Sequence, residues 1–269
     1  MRKGSRKRAE INTSYMNVNI FKTAALAAAA FLLLSCGQQK DPSLILQYTF
    51  ENVQGNVVED ASGSGADALL LNGAKVADLG GYRILRLPEE NSYLDMGLKA
   101  GELLSTLEDF TVSVYYCTDI NPRFPGYGYF VWMFSTEEFC GPETGRYFAY
   151  RINEQRVETS VGGYNNESII MKRARSETGK WIHVLYCQDD SYGSLYIDGE
   201  LIGTNDDMPV LKENFTQAPA FNWLGRPAFR GDNYLHDSSI ADFRIYSRCL
   251  EPEEIEKLAA FADQLNAIQ

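Results

Sequence analysis

The chain has 269 residues, 45% of them hydrophobic, 12% aromatic and 23% charged, which supplies apolar surface for a packed core and excludes disorder over most of its length. Its 25 Lys and Arg stand against 36 Asp and Glu, and residues 1–35 hold six of the cations (Arg2, Lys3, Arg6, Lys7, Arg8, Lys22) and one acid, Glu10. The remainder carries −16, a charge that repels a phosphate backbone and argues against nucleic acid as a partner.

In chain order, an apolar run from Thr23 to Leu34 follows the basic segment. It falls short of the about 20 apolar residues that cross a bilayer core, and a short run of this kind behind cations reads as a secretory signal. The closing residues, Leu33-Leu34-Ser35-Cys36-Gly37, resemble the lipobox of bacterial lipoproteins, in which the signal is cut before the cysteine and the cysteine carries the lipid. Met16 to Ser35 is already a complete signal, which makes Met16 a candidate start within a signal segment of 1–35. The resemblance implies lipidation at Cys36, a polar tether over 36–43 and membrane attachment by the lipid alone. Gly37, where an inner-membrane retention signal has Asp, favours the outer membrane of a Gram-negative envelope. Residues 44–269 remain as one domain.

That domain alternates at period two. Leu44, Leu46, Tyr48 and Phe50 line one face of the first predicted strand, and Phe110, Val112, Val114 and Tyr116 line another. Further strands are expected over 129–134, 146–152, 156–161, 181–187, 194–197, 221–224 and 240–246, with Gly, Asn, Asp and Pro clusters between them. Asp198-Gly199 is a hairpin turn, because both residues tolerate positive φ. After Pro252 the period changes: Glu253 and Glu254 suit a helix amino terminus, and Ile255, Leu258, Ala262 and Leu265 form a stripe that is expected to cover a sheet edge. Cys117, Cys140, Cys187 and Cys249 follow Cys36, an even number that permits disulfides in an exported chain. Cys117 and Cys187 each end a predicted strand and pair if those strands are neighbours; free, buried thiols are the equal alternative.

Several segments then resemble a known family. Tyr48-Thr49-Phe50-Glu51-Asn52 and Val58-Glu59-Asp60-Ala61-Ser62-Gly63 come first, and Asp109-Phe110-Thr111-Val112-Ser113, Gly179-Lys180-Trp181-Ile182-His183-Val184 and Leu195-Tyr196-Ile197-Asp198-Gly199 follow. Asn222-Trp223-Leu224-Gly225-Arg226 and Ile240-Ala241-Asp242-Phe243-Arg244-Ile245-Tyr246 complete the series. Their order and spacing resemble the laminin-G-like jelly rolls of the concanavalin-A-like lectin/glucanase superfamily. The resemblance implies an all-β sandwich of two antiparallel sheets with a short C-terminal helix, one sheet curving around a concave surface. Members are commonly carbohydrate-binding modules, and many hold a structural Ca2+. Carried onto this chain, the calcium ligands are Glu51, Asn52, Asp60 and Asp242; Ala241 replaces one acid of a pair, and Arg244 shares a face with Asp242 and competes for it.

Glycan sites set aromatic rings against sugar faces and bond the hydroxyls with Arg, Asn, Asp or His. Trp132, Tyr150, Tyr164, Asn165, Trp223, Arg226 and His236 are the ligand-binding candidates. The partner is then a glycan or polysaccharide, captured for neighbouring uptake or degradation proteins. No catalytic residue is assigned. The family's paired glutamates on one strand have no counterpart, Glu251, Glu253, Glu254 and Glu256 fall on the helix, and His183 sits in a structural strand. Two alternatives stand: a glycoside hydrolase or polysaccharide lyase whose carboxylates come from several strands, and a protein-binding or adhesive envelope module.

Overall fold

The alternating segments become strands close to their expected places in a computed structural model, which describes residues 41–121 and 128–269. The signal segment with Met16, the lipidation site Cys36 and residues 122–127 lie outside the described residues. The strands are β1 (Leu44–Tyr48), β2 (Val53–Gln54), β3 (Val57–Val58), β4 (Ala68–Leu71), β5 (Lys75–Leu79), β6 (Tyr82–Leu87), β7 (Tyr93–Asp95), β8 (Phe110–Thr118) and β9 (Phe130–Ser135). They continue with β10 (Tyr147–Arg151), β11 (Arg156–Ser160), β12 (Glu167–Met171), β13 (Ile182–Asp189), β14 (Tyr192–Ile197), β15 (Glu200–Asn205), β16 (Phe221–Leu224) and β17 (Ser238–Tyr246). One sheet runs β15-β14-β13-β8-β17-β6-β5 with β1 on β17; the other runs β12-β11-β10-β9-β16-β7-β4-β3-β2. All ladders between these strands are antiparallel.

The two sheets bury their facing sides against each other. Leu46, Tyr48, Val112, Val114, Tyr116 and Val184 from the eight-stranded sheet meet Val131, Trp132, Phe134, Phe148, Tyr150 and Leu224 from the nine-stranded one. Each such side chain contributes about 1.5–3 kcal/mol through burial. The Asp198-Gly199 turn forms as expected, with φ of 50° and 80°, and joins β14 to β15.

The C-terminal helix, here α2, spans Pro252–Ile268 and follows the helix α1 (Gly97–Leu104). Pro252 opens α2, and Glu251 and Glu254 form a reciprocal capping box. Ala262 and Leu265 do not cover a sheet edge, as the sequence implied. They pack on Ile84, Tyr115, Cys117, Trp181 and Ala241, across the outer face of the eight-stranded sheet. Asn266 exchanges hydrogen bonds with the Trp181 backbone (2.8 and 3.0 Å), and the Tyr115 hydroxyl donates to the Leu258 carbonyl at 2.7 Å. That sheet is covered on both sides.

The expected cysteine pairing is corrected. β8 and β13 are neighbours, but their antiparallel register sets Cys187 opposite Thr111, whereas Cys117 lies one residue past the Tyr116–Ile182 pair at the other end. Cys187 instead joins Cys249, across a Cα separation of 5.5 Å, while Cys117 and Cys140 are free and buried. Strands β2 to β7, β12 and helix α1 were not foreseen; β2, β3 and β7, of two or three residues, carry too few alternations to read.

Candidate functional site

Among the described residues, no helix lies over the outer face of the nine-stranded sheet. Its register can be followed from strand to strand: Leu69 stands opposite Asp95, Asp95 opposite Trp223, Trp223 opposite Met133, Met133 opposite Ala149 and Ala149 opposite Glu158. The face is therefore aromatic and apolar at β7 and β16, small at its centre and charged at β10 to β12. A loop over residues 226–234 crosses it. Arg226 lies 3.9 Å above the Trp223 ring and 5.1 Å from Tyr93, and its Nη2 pairs with Glu138 at 2.6 Å. Phe229 packs on Tyr147 (5.0 Å) and Phe130 (5.4 Å), and Tyr234 packs on Tyr93 (5.9 Å).

At the charged end, Arg156 holds two carboxylates, Glu158 at 2.6 Å from Nε and Glu167 through Nη2. Arg151 binds Glu154 at 3.0 Å and lies 3.4 Å from Glu158, and the Tyr147 hydroxyl donates to Glu167. The side chain of Glu158 is only 2% exposed. Its Oε2 and the Nε atoms of both arginines are buried without a well-aligned hydrogen bond. Burial and the neighbouring Glu158 charge push Glu167 up to about 7, against the pull of Arg156. Asp232, on the crossing loop, is raised to about 6 mainly by burial, opposed by the Gly128 amide and Arg151.

Beside this end, three loops form one surface. Loop 161–166 is laced to loop 141–145 by Gly163 N–H to Gly145 O (2.6 Å), Tyr164 N–H to Gly141 O (3.1 Å) and Asn165 N–H to Pro142 O (3.0 Å). Cys140 N–H donates to Ala228 O at 2.7 Å and ties in the crossing loop. Gly163 has φ +81°, and a Cβ there would meet Pro142 at 2.4 Å, so this junction requires glycine. Phe139, Val161 and Tyr164 stand 39%, 47% and 48% exposed on this surface, with Tyr164 6.4 Å from Phe229. The Glu143 carboxylate accepts from the side-chain amides of Asn165 (2.7 Å) and Asn166 (2.9 Å), which hold it below the usual carboxylate range.

The sequence-based candidates divide accordingly. Tyr164 and Asn165 lie together on the loop surface, and Trp223 and Arg226 lie together on the sheet, where Arg226 covers the indole and leaves it 2% exposed. His236 is set apart, with Nδ1 3.0 Å from Asp237 and its ring against Tyr129. Trp132 and Tyr150 are corrected. They are paired across β9 and β10, stacked at 5.1 Å and fully buried between the sheets, so neither reaches a ligand. His183 is a structural histidine: its Nε2 meets Ser113 Oγ at 2.8 Å, its ring stacks on Tyr115, and burial drives it down to about 3. Phe139, Glu143, Phe229, Arg230 and the Arg151–Arg156–Glu158–Glu167 network were missed. Period-two spacing of Tyr147, Ala149 and Arg151, and of Arg156 and Glu158, was the available signal for the last group.

Two of the four expected calcium ligands, Asp60 and Asp242, are engaged by internal partners. Asp60 is buried, and its two oxygens accept the amides of Gln47, Ser62, Ser64 and Ala66 together with the Ser62 hydroxyl, at 2.8–3.3 Å. Asp242 is taken by Arg244, whose Nε lies 2.9 Å from both carboxylate oxygens, and by the Gln47 side-chain amide. Glu51 and Asn52 are exposed.

The sequence matches the Laminin_G_3 family of the concanavalin A-like lectin/glucanases superfamily over residues 89–256. The chain belongs to that superfamily. No curated protein matches this superfamily member. Among solved structures, the fold is similar to domain 4 of AbnA, a GH43 extracellular arabinanase from Geobacillus stearothermophilus solved with arabinotriose, at 16% identity and TM-score 0.62, covering 81% of this chain and 98% of that domain. It is also similar to the receptor-binding domain of botulinum neurotoxin mosaic serotype C/D (19% identity, TM-score 0.59, 83% of this chain and 52% of that one). Trypanosoma rangeli sialidase, solved with sialic acid, matches at 17% identity and TM-score 0.59, over 94% of this chain and 40% of that one. The chain thus spans about half or less of the last two proteins, and at these identities the likeness is one of fold.

Proposed function

We propose that this superfamily member is a non-catalytic, lipid-anchored glycan-binding protein of the cell envelope, and that the three-loop surface around Tyr164, Phe139 and Asn165 is its ligand site. The carrying observation is that two aromatic side chains stand exposed there, on loops locked by backbone hydrogen bonds, next to an oriented carboxylate and amides. Rings of this kind stack on sugar faces, and the fixed polar groups select hydroxyl positions. The arabinanase domain offers a parallel: a separate jelly roll of the same extent, solved with a trisaccharide.

The anchor rests on the lipobox at Cys36. Radiolabelled palmitate is expected on the native chain and not on Cys36→Ala, and the label should fractionate with the outer membrane. A glycan array probed with the detergent-solubilised native protein tests the binding itself. Signal on at least one polysaccharide is expected, with Tyr164→Ala reducing it about tenfold or more, as for loss of an aromatic anchor. Glycan cleavage is the second reading, favoured by Glu167, whose carboxyl burial and the neighbouring Glu158 raise to about 7. Release of reducing ends from the polysaccharides that bind, abolished in Glu167→Gln, would support cleavage in place of capture.

A further inference from the structure

Arg230 lies on the crossing loop, exposed, with its guanidinium carbon 4.3 Å above the ring of Phe139. The neighbouring Arg226 is already engaged, on Glu138 at 2.6 Å and the Tyr93 hydroxyl at 3.3 Å. Among the described residues Arg230 has no carboxylate within ion-pair distance. The contact with Phe139 restrains the exposed guanidinium, whose fork of N–H donors matches a planar anion. Glu143 is held ionised by Asn165 and Asn166 on the same laced loops, and it supplies an acceptor for sugar hydroxyls. A stacking ring, a hydroxyl acceptor and an unpaired guanidinium thus share one surface, in a body whose net charge otherwise repels polyanions.

We infer that the glycan bound here is an acidic one, a polysaccharide carrying a carboxylate on its sugar ring, with Arg230 binding that carboxylate in a bidentate pair while Phe139 and Tyr164 carry the rings. This rests on the glycan-binding reading and names its substrate class. A carboxylate suits the flat fork better than a sulfate, whose oxygens are tetrahedral.

The test is a titration of the native protein with polygalacturonate, the same polymer fully methyl-esterified, a sulfated neutral polymer (dextran sulfate) and neutral arabinan. The free acid is expected to bind best, with Arg230→Ala losing about tenfold or more of that affinity and Arg230→Lys recovering part of it. Tyr164→Ala should weaken the acid and its ester alike. Equal binding of ester and acid, preference for arabinan or dextran sulfate, or acid binding indifferent to Arg230→Ala, would each overturn the acidic-sugar inference while leaving glycan binding in place. Silence on every polymer in this test and across the array would overturn the glycan reading and this inference with it. Arg230 is exposed, so its variants are expected to unfold at the wild-type temperature.

Discussion

Glu167 carries a proton into the folded state that the unfolded chain would release. Its carboxyl is raised to about 7 by burial and by Glu158, and Asp232 is raised to about 6, so these two carboxyls bind more protons in the native state than in the unfolded one between the ordinary carboxylate range and neutrality. These two carboxyls make stability fall as pH rises from about 5 to about 7, and His183, held down to about 3 by burial, partly offsets the fall because only the unfolded chain protonates it there. Chemical unfolding across that range should show the decline in the wild type and a flatter profile in Glu167→Gln; identical slopes would contradict the assignment. Single aromatics divide with equal clarity. Trp132→Ala is expected to cost about 3–5 kcal/mol in unfolding free energy, because it empties a site between the sheets. Tyr164→Ala should change stability by less than about 0.5 kcal/mol. Alternation alone could not separate these two rings. The outer side of β9 is roofed by the crossing loop, so every residue of that strand is buried, and period two marks two sides without saying which is core.

At the scale of elements, the junction of β13, β17 and α2 depends on Cys187 and Cys249, 62 residues apart in sequence. Replacing Cys249 by Ser is expected to cost about 2–4 kcal/mol, and reductant should lower the wild-type melting temperature toward the variant's without affecting the variant. Cys117→Ser should not reproduce this. Strand neighbourhood was legible in the sequence, but pairing depends on register, which neither cysteine's position revealed. The same limit applies to Asp60 and Asp242. Their residue types suit a hard cation, yet Asp60 caps the turn that follows β3 and Asp242 pairs with Arg244. Chelation with EDTA is accordingly expected to leave the melting temperature unchanged, and a drop of several degrees would contradict these internal pairings.

Across the whole molecule, one sheet covered by a helix and one crossed by a loop determine where a ligand can reach. α2 closes the outer face of the first, and a groove of about 430 Å³ beside it is lined by Lys180, Asp198, Glu256 and Asp263 without an aromatic ring among the described residues that line it. No helix among the described residues is long and apolar enough to cross a membrane. The sandwich itself was legible because long alternating strands such as 110–118 and 238–246, the Asp198-Gly199 turn and the Pro252 helix start each carry a local signal. The ligand surface was only half legible, through Tyr164 and Asn165. Phe139 and Arg230 meet through the return of the chain between β16 and β17, a contact across about ninety residues that no local pattern encodes. The most direct measurement is binding of the native protein to a panel of polysaccharides, compared with Tyr164→Ala at matched stability. Binding that is present in the wild type and lost in the variant is predicted. A silent panel, or a variant that binds as tightly as the wild type, would contradict the loop surface as a glycan site.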